Sequence, residues 1–100
     1  MKKLSKKAWK EYVEEPSNWE VHTSVPEFGY RISRLKDTDL FALEEWHEPI
    51  EYVRKMGVKP SWRVKQLFYV RENDDGQRYP ESTNKTNAIE ELWSNQEGKA

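Results

Sequence analysis

Ser61-Trp62-Arg63-Val64-Lys65-Gln66-Leu67-Phe68-Tyr69-Val70-Arg71, followed after Glu72 by Asn73-Asp74-Asp75-Gly76, is the stretch that decides the fold. Strict alternation puts Trp62, Val64, Gln66, Phe68 and Val70 on one face of a long strand. Arg63, Lys65, Leu67, Tyr69 and Arg71 fall on the other. Asp75-Gly76 supplies the positive φ of a tight hairpin turn. Gln77-Arg78-Tyr79 is then expected to return as a short strand as far as Pro80. The face bearing Trp62, Val64, Phe68 and Val70 is expected to pack on the core.

Working upstream, Trp19 to Val25 alternates as a strand stopped by Pro26, and Phe28-Gly29 reads as a turn. Tyr30 to Leu35 forms the next strand. Lys36-Asp37-Thr38-Asp39 is a hairpin turn, since Asp side chains bond the backbone two residues on. Leu40-Phe41-Ala42-Leu43-Glu44-Glu45-Trp46 has the composition of a helix but the position of a hairpin partner, and the expectation here is strand. Glu48-Pro49 opens a short helix closed by Gly57.

Residues 4–14 form an amphipathic helix with Leu4, Ala8, Tyr12 and Val13 on one face, ended by Glu15-Pro16. Its lysines sit at the positive end of the macrodipole and its glutamates at the negative end. Such a helix depends on docking. Downstream, Thr86 or Asn87 is expected to cap a last helix bearing Ala88, Ile89, Leu92 and Trp93, with Glu90 completing a capping-box pattern.

The whole is a small α+β single domain over residues 1–100. It has an antiparallel sheet of about five strands, N-terminal and C-terminal helices, one short inserted helix, and loose ends at 1–3 and 96–100. The expected core is Tyr12, Trp19, Val21, Ile32, Trp62, Val64, Phe68, Val70, Ile89 and Leu92, with Trp9 or Trp93 as a further member.

Composition bounds the function. Leu, Ile, Val and Phe total 19 of 100 residues and mean hydropathy is −1.11, values at which disorder competes with folding. The net charge of −1 and the five Trp, five Tyr and three Phe favour a folded domain held by aromatic side chains. With no cysteine there is no disulfide framework and no thiolate chemistry. Met1-Lys2-Lys3-Leu4-Ser5-Lys6-Lys7 has the charge of a signal sequence without an apolar segment after it, so a cytoplasmic protein is expected. No apolar run reaches the ~20 residues of a membrane span.

Catalytic groupings are sparse. His47 lies among Glu44, Glu45 and Glu48 without metal-ligand spacing, and the Asp pairs 37/39 and 74/75 fall in turns that favour Asp for backbone reasons. There is no phosphate-binding glycine loop and no nucleophile elbow. No enzyme activity, metal or cofactor is expected.

Two binding surfaces remain. Arg63, Lys65, Tyr69 and Arg71 alternate on one strand face, with Arg31 and Arg78 able to extend it, a basic and aromatic arrangement suited to nucleic acid. Glu44, Glu45, Glu48, Asp74 and Asp75 could instead form an acidic surface that competes for another protein's groove.

In layout, Trp62 to Trp93 resembles both the arm-binding domain of tyrosine recombinases and the end of a double-stranded-RNA-binding domain. It lacks the middle strand of the first and the lysine-rich helix start of the second. The leading expectation is a small binding protein that regulates or inhibits a protein partner, in the style of those encoded by phages and mobile elements. The alternative is a nucleic-acid-binding domain. Oligomeric state is left open.

Overall fold

In the computed structural model, which describes residues 3–98, the chain runs as a five-stranded antiparallel meander flanked by helices. The elements are α1 (Lys6–Glu14), β1 (Trp19–Val25), β2 (Tyr30–Leu35), β3 (Leu40–His47) and α2 (Glu51–Lys55). They continue with β4 (Ser61–Glu72), β5 (Arg78–Thr83) and α3 (Lys85–Gly98), and single 3-10 turns lie at Pro16–Asn18 and Pro26–Phe28. The strands sit side by side in chain order. The α+β architecture is the expected one, and residues 40–47 are a strand.

The tight turn before β3 explains why strand wins over a helical composition. Asp37 takes φ 62°, a conformation that Asp tolerates better than most residues. The Thr38 hydroxyl donates to the Leu35 carbonyl (2.8 Å) and accepts from the Leu40 amide (3.1 Å). Leu40 therefore leaves the turn already aligned beside β2.

Helix α1 starts at Ser5, whose hydroxyl accepts the Ala8 amide at 3.1 Å. Its unfavourable charges find partners on α3, which runs antiparallel to it. Lys6 meets Glu90 at 2.7 Å and also lies 4.6 Å from the centre of the Trp93 ring, while Glu14 pairs with Lys85. The expected loose ends fall partly outside the described residues. Within them, α3 continues to Gly98, and Gln96 accepts from the Leu4 amide (2.9 Å) while donating to the Leu4 carbonyl.

The two helices cover one face of the sheet, over one half of its length. Leu35 and Leu40 are fully buried there with Val13, Tyr69, Ala88 and Leu92, and Trp9, Tyr12, Trp19, Leu67 and Ile89 pack around them. The molecule measures 52 × 34 × 19 Å, and its radius of gyration of 15.9 Å exceeds the ~13 Å usual for this length. A long thin slab leaves much of the sheet uncovered.

The expected faces of β4 need correcting. Leu43 pairs with Gln66 but Glu44 pairs with Val64, so Lys65 is an extra residue on β4. This β-bulge reverses the alternation on one side of it. Trp62 and Val64 consequently share a face with Leu67, Tyr69 and Arg71, whereas Arg63 lies with Gln66, Phe68 and Val70. The helix-covered core takes Leu67 and Tyr69, not Phe68 and Val70. Val21 and Val64, both expected inside, are 54% and 55% exposed.

Several boundaries also move. Helix α1 begins at Lys6, after its cap Ser5, rather than at Leu4, and α2 begins at Glu51 rather than at Glu48-Pro49. Strand β5 continues through Pro80 to Thr83, as an edge strand can. The cap of α3 is Asn84 rather than Thr86 or Asn87: its side-chain oxygen accepts the Asn87 amide at 2.8 Å. Both sheet edges are interrupted, β5 by that proline and β1 by a bulge between Val21 and Thr23. Such breaks discourage strand addition at an edge.

Candidate functional site

Beyond the reach of α1 and α3, the helix-side face of the sheet opens into a cleft of about 690 Å³. Its apolar walls are Trp19, Val21, Trp62, Val64 and Leu67. The Trp19 indole N–H donates to the Val13 carbonyl (2.8 Å), which fixes that ring at the end of α1. Trp46 and Trp62 are direct cross-strand partners and meet edge to face, centroids 5.3 Å apart. The Arg31 guanidinium lies 4.3 Å from the centre of the Trp62 ring.

The floor of the cleft is polar but closed on itself. Arg31 donates to Glu44 from Nε at 3.0 Å, and the buried Ser33 hydroxyl donates to the same carboxylate oxygen at 2.5 Å. Register explains the cluster: Arg31, Ser33 and Glu44 all point to the helix side, from adjacent strands. The ion pair of Glu14 and Lys85 also borders the cleft, and that contact holds the Glu14 carboxyl below its ordinary pKa. Among the described residues, each charge lining the cleft has its opposite: Arg31 with Glu44, and Lys85 with Glu14. Next to it, where β3 and β4 join through α2, Trp46, Ile50, Tyr52 and Met56 are exposed.

Among the described residues, α1 and α3 both pack on that one face, and no helix residue lines the trough on the opposite face. At its centre Phe41 and Phe68 stack nearly parallel across β3 and β4, with centroids 5.5 Å apart and planes 16° apart. His22 meets Phe41 edge-on at 5.4 Å. Ile32 and Val70 extend the stripe, and a shallow trough of about 600 Å³ crosses it without any helix residue in its lining.

The bulge divides the basic and aromatic set. Tyr69 is buried on the helix side, where its hydroxyl donates to the Ala88 carbonyl (3.2 Å). Burial raises its pKa above the ordinary phenol value, with the Glu91 carboxylate adding to the effect. Arg71 lies over the Tyr69 ring and is held by Glu91 (2.7 Å) and Glu81 (2.5 Å), whose hydrogen bonds raise its pKa further above the ordinary guanidinium value. Arg31 is in the cleft. Arg63, Lys65 and Arg78 belong to the open face, Lys65 beside Glu45 (3.9 Å) and the Tyr30 ring.

The acidic set is likewise dispersed. Glu44 and Glu45 point to opposite faces, and Glu48 is exposed with Arg54 at 3.8 Å. Asp74 and Asp75 lie in the turn at the other end of β4, a strand of 12 residues or about 40 Å. Among the described residues, no group of three or more His, Cys, Asp or Glu side chains converges to hold a metal ion. No helix among them is long and apolar enough to cross a membrane.

Sequence reasoning singled out neither the Ser33–Glu44–Arg31 cluster nor the Phe41–Phe68 stack. The cluster depends on the β2–β3 register, which follows only once residues 40–47 are known to be a strand. The stack depends on the β3–β4 register, and α2 separates those two strands, so hairpin counting cannot supply it. The exposed tryptophan beside a half-buried one was visible only as an abundance of Trp. No protein-family model, curated protein or solved structure matches the chain.

Proposed function

We propose that this chain is a small non-catalytic binding protein that regulates a protein partner by gripping an apolar segment of it in the cleft between Trp19 and Trp62. The observation that carries the reading is an apolar cleft whose charges are already paired with one another. A charged segment would lose its hydration there without gaining a free counter-charge. An uncharged apolar segment loses nothing of the kind and buries both tryptophans.

Trp and Arg dominate the energetics of protein interfaces, and here Arg31 holds Trp62 in place while Trp46 stands exposed beside it. The interrupted sheet edges direct a partner to a face and away from strand addition. Phosphate recognition needs unpaired cations, and both cations bordering this cleft, Arg31 and Lys85, are engaged.

The test is a tagged capture from bacterial lysate, split into nuclease-treated and untreated halves, with two variants alongside. One stoichiometric protein that survives nuclease, is lost with Val64→Glu, and is retained by Arg63→Glu on the opposite face is the expected result. Co-purifying nucleic acid, with every protein released by nuclease, would sink the proposal and favour the basic residues of the open face.

A further inference from the structure

The open face of the sheet has a symmetry of charge about its aromatic centre. Along β4 this face presents Arg63, Gln66, Phe68, Val70 and Glu72 in order, because the bulge at Lys65 moves Arg63 onto it. Arg63 lies two rungs from Phe68 in one direction and Glu72 two rungs in the other. At about 6.8 Å per rung, each charge stands about 14 Å from the ring. Both residues are exposed, and neither joins an ion pair among the described residues. Their neighbours Lys65 and Arg71, by contrast, have carboxylate partners.

A two-fold axis crossing the strands at Phe68 exchanges these two positions. A second copy laid face to face about that axis sets each Arg63 over the Glu72 of its mate. The contact is made twice, because a two-fold interface uses the same patch on both sides. The Phe41–Phe68 stacks meet at the middle, flanked by Ile32 and Val70, which are half-buried with no helix over them. Two sheets packed this way sit about 10 Å apart and bury their inner faces against each other. We infer that the open sheet face is the interface of a homodimer, a β-sandwich made by two copies of this chain and registered by reciprocal Arg63–Glu72 pairs.

A second copy suits this surface because it offers both signs of charge at fixed places. Arg34 pairs with Glu20 (3.0 Å) and Lys65 with Glu45 (3.9 Å) within the chain, whereas Arg63 and Glu72, with Arg78 directly across from Glu72 on β5, carry no ion pair among the described residues. Opposite charges at fixed positions set register and orientation more than affinity.

The experiment is sedimentation equilibrium over a concentration series on the full chain and four variants, each checked for folding by circular dichroism. The parent chain is expected to show a concentration-dependent monomer–dimer equilibrium. Arg63→Glu and Glu72→Arg each place like charges in contact twice, and each is expected to weaken association about ten-fold or more. The double variant R63E/E72R restores the pairing with signs exchanged and is expected to return to within about three-fold of the parent. Val64→Glu, on the opposite face, is expected to leave association unchanged. A parent chain that stays monomeric at every concentration would overturn the inference. So would a dimer indifferent to both single reversals, or one that the double variant fails to rescue.

Discussion

The hydroxyl of Tyr69 donates to the main-chain carbonyl of Ala88 across 3.2 Å, tying the centre of β4 to the first turns of α3. Tyr69→Phe keeps the ring and removes this bond, while the Ala88 carbonyl keeps its place in the hydrogen-bond ladder of α3. The expected cost in urea melts at neutral pH is about 1 kcal/mol. The same phenol gives a second readout. Its pKa is raised in the folded chain from an ordinary 10.0, so its contribution to stability is complete below pH 10.0 and declines as pH rises past that value. Melting temperature followed above pH 10 is expected to fall less steeply for Tyr69→Phe than for the parent.

Acid acts on the other helix contact. The Glu14 carboxyl is held below its ordinary pKa, first by the hydrogen bond from Lys85. A depressed carboxyl stabilises the fold above its unfolded pKa and loses that contribution as pH falls through the folded value. Lys85→Met is expected to lower the melting temperature at pH 7 and to reduce its dependence on acid. Equal acid sensitivity in the two proteins would show that other carboxylates carry it.

Leu40 is fully buried and Trp62 is not, which reverses the naive ranking of their truncations. Leu40→Ala is expected to cost about 2–5 kcal/mol. Trp62→Ala, whose ring lies in an open cleft beneath Arg31, is expected to cost less than about 2 kcal/mol. Urea melts of the two variants check the order, and the same Trp62→Ala protein is expected to have lost its partner in the capture experiment.

The extra residue at Lys65 has a consequence that deletion tests. Removing it turns this part of the β3–β4 ladder regular while keeping every pair, Leu43 with Gln66 and Glu44 with Val64, so Trp62 and Val64 keep their place beside Arg31 and Glu44. Hydrogen exchange is expected to show protection at residues 61–64 retained or raised in the deletion variant, with Leu67 and Tyr69 unchanged. Lost protection at 61–64 would mean that the bulge is needed to hold the two strands in register.

Much of this fold is legible in the residues themselves. Asn73-Asp74-Asp75-Gly76 marks one hairpin, Lys36-Asp37-Thr38-Asp39 another, and the left-handed φ values of Asp37 and Gly76 are the physical basis of both. The faces of β4 are not legible, for two reasons. A bulge is one surplus residue and leaves no compositional trace. Leu67 and Tyr69 are also as apolar as Phe68 and Val70, so a strand buried on one side and half-buried on the other has no preferred reading. The cleft is harder still, since it exists only because two helices cover half of a long sheet. The cap at Asn84 was masked by Thr86 and Asn87, equally good capping residues two and three places on.

The unbroken strand order has a bearing on how the chain assembles. Every strand pairs with its neighbour in sequence, so each step of the sheet closes only a short loop. The contact between α1 and α3 is different, because Leu4 and Gln96 are separated by 92 positions. Sheet first and clasp last is therefore the cheapest route through conformational space. By the same reasoning α1 is the segment that detaches earliest as the protein opens, uncovering Leu35 and Leu40 while the meander still holds.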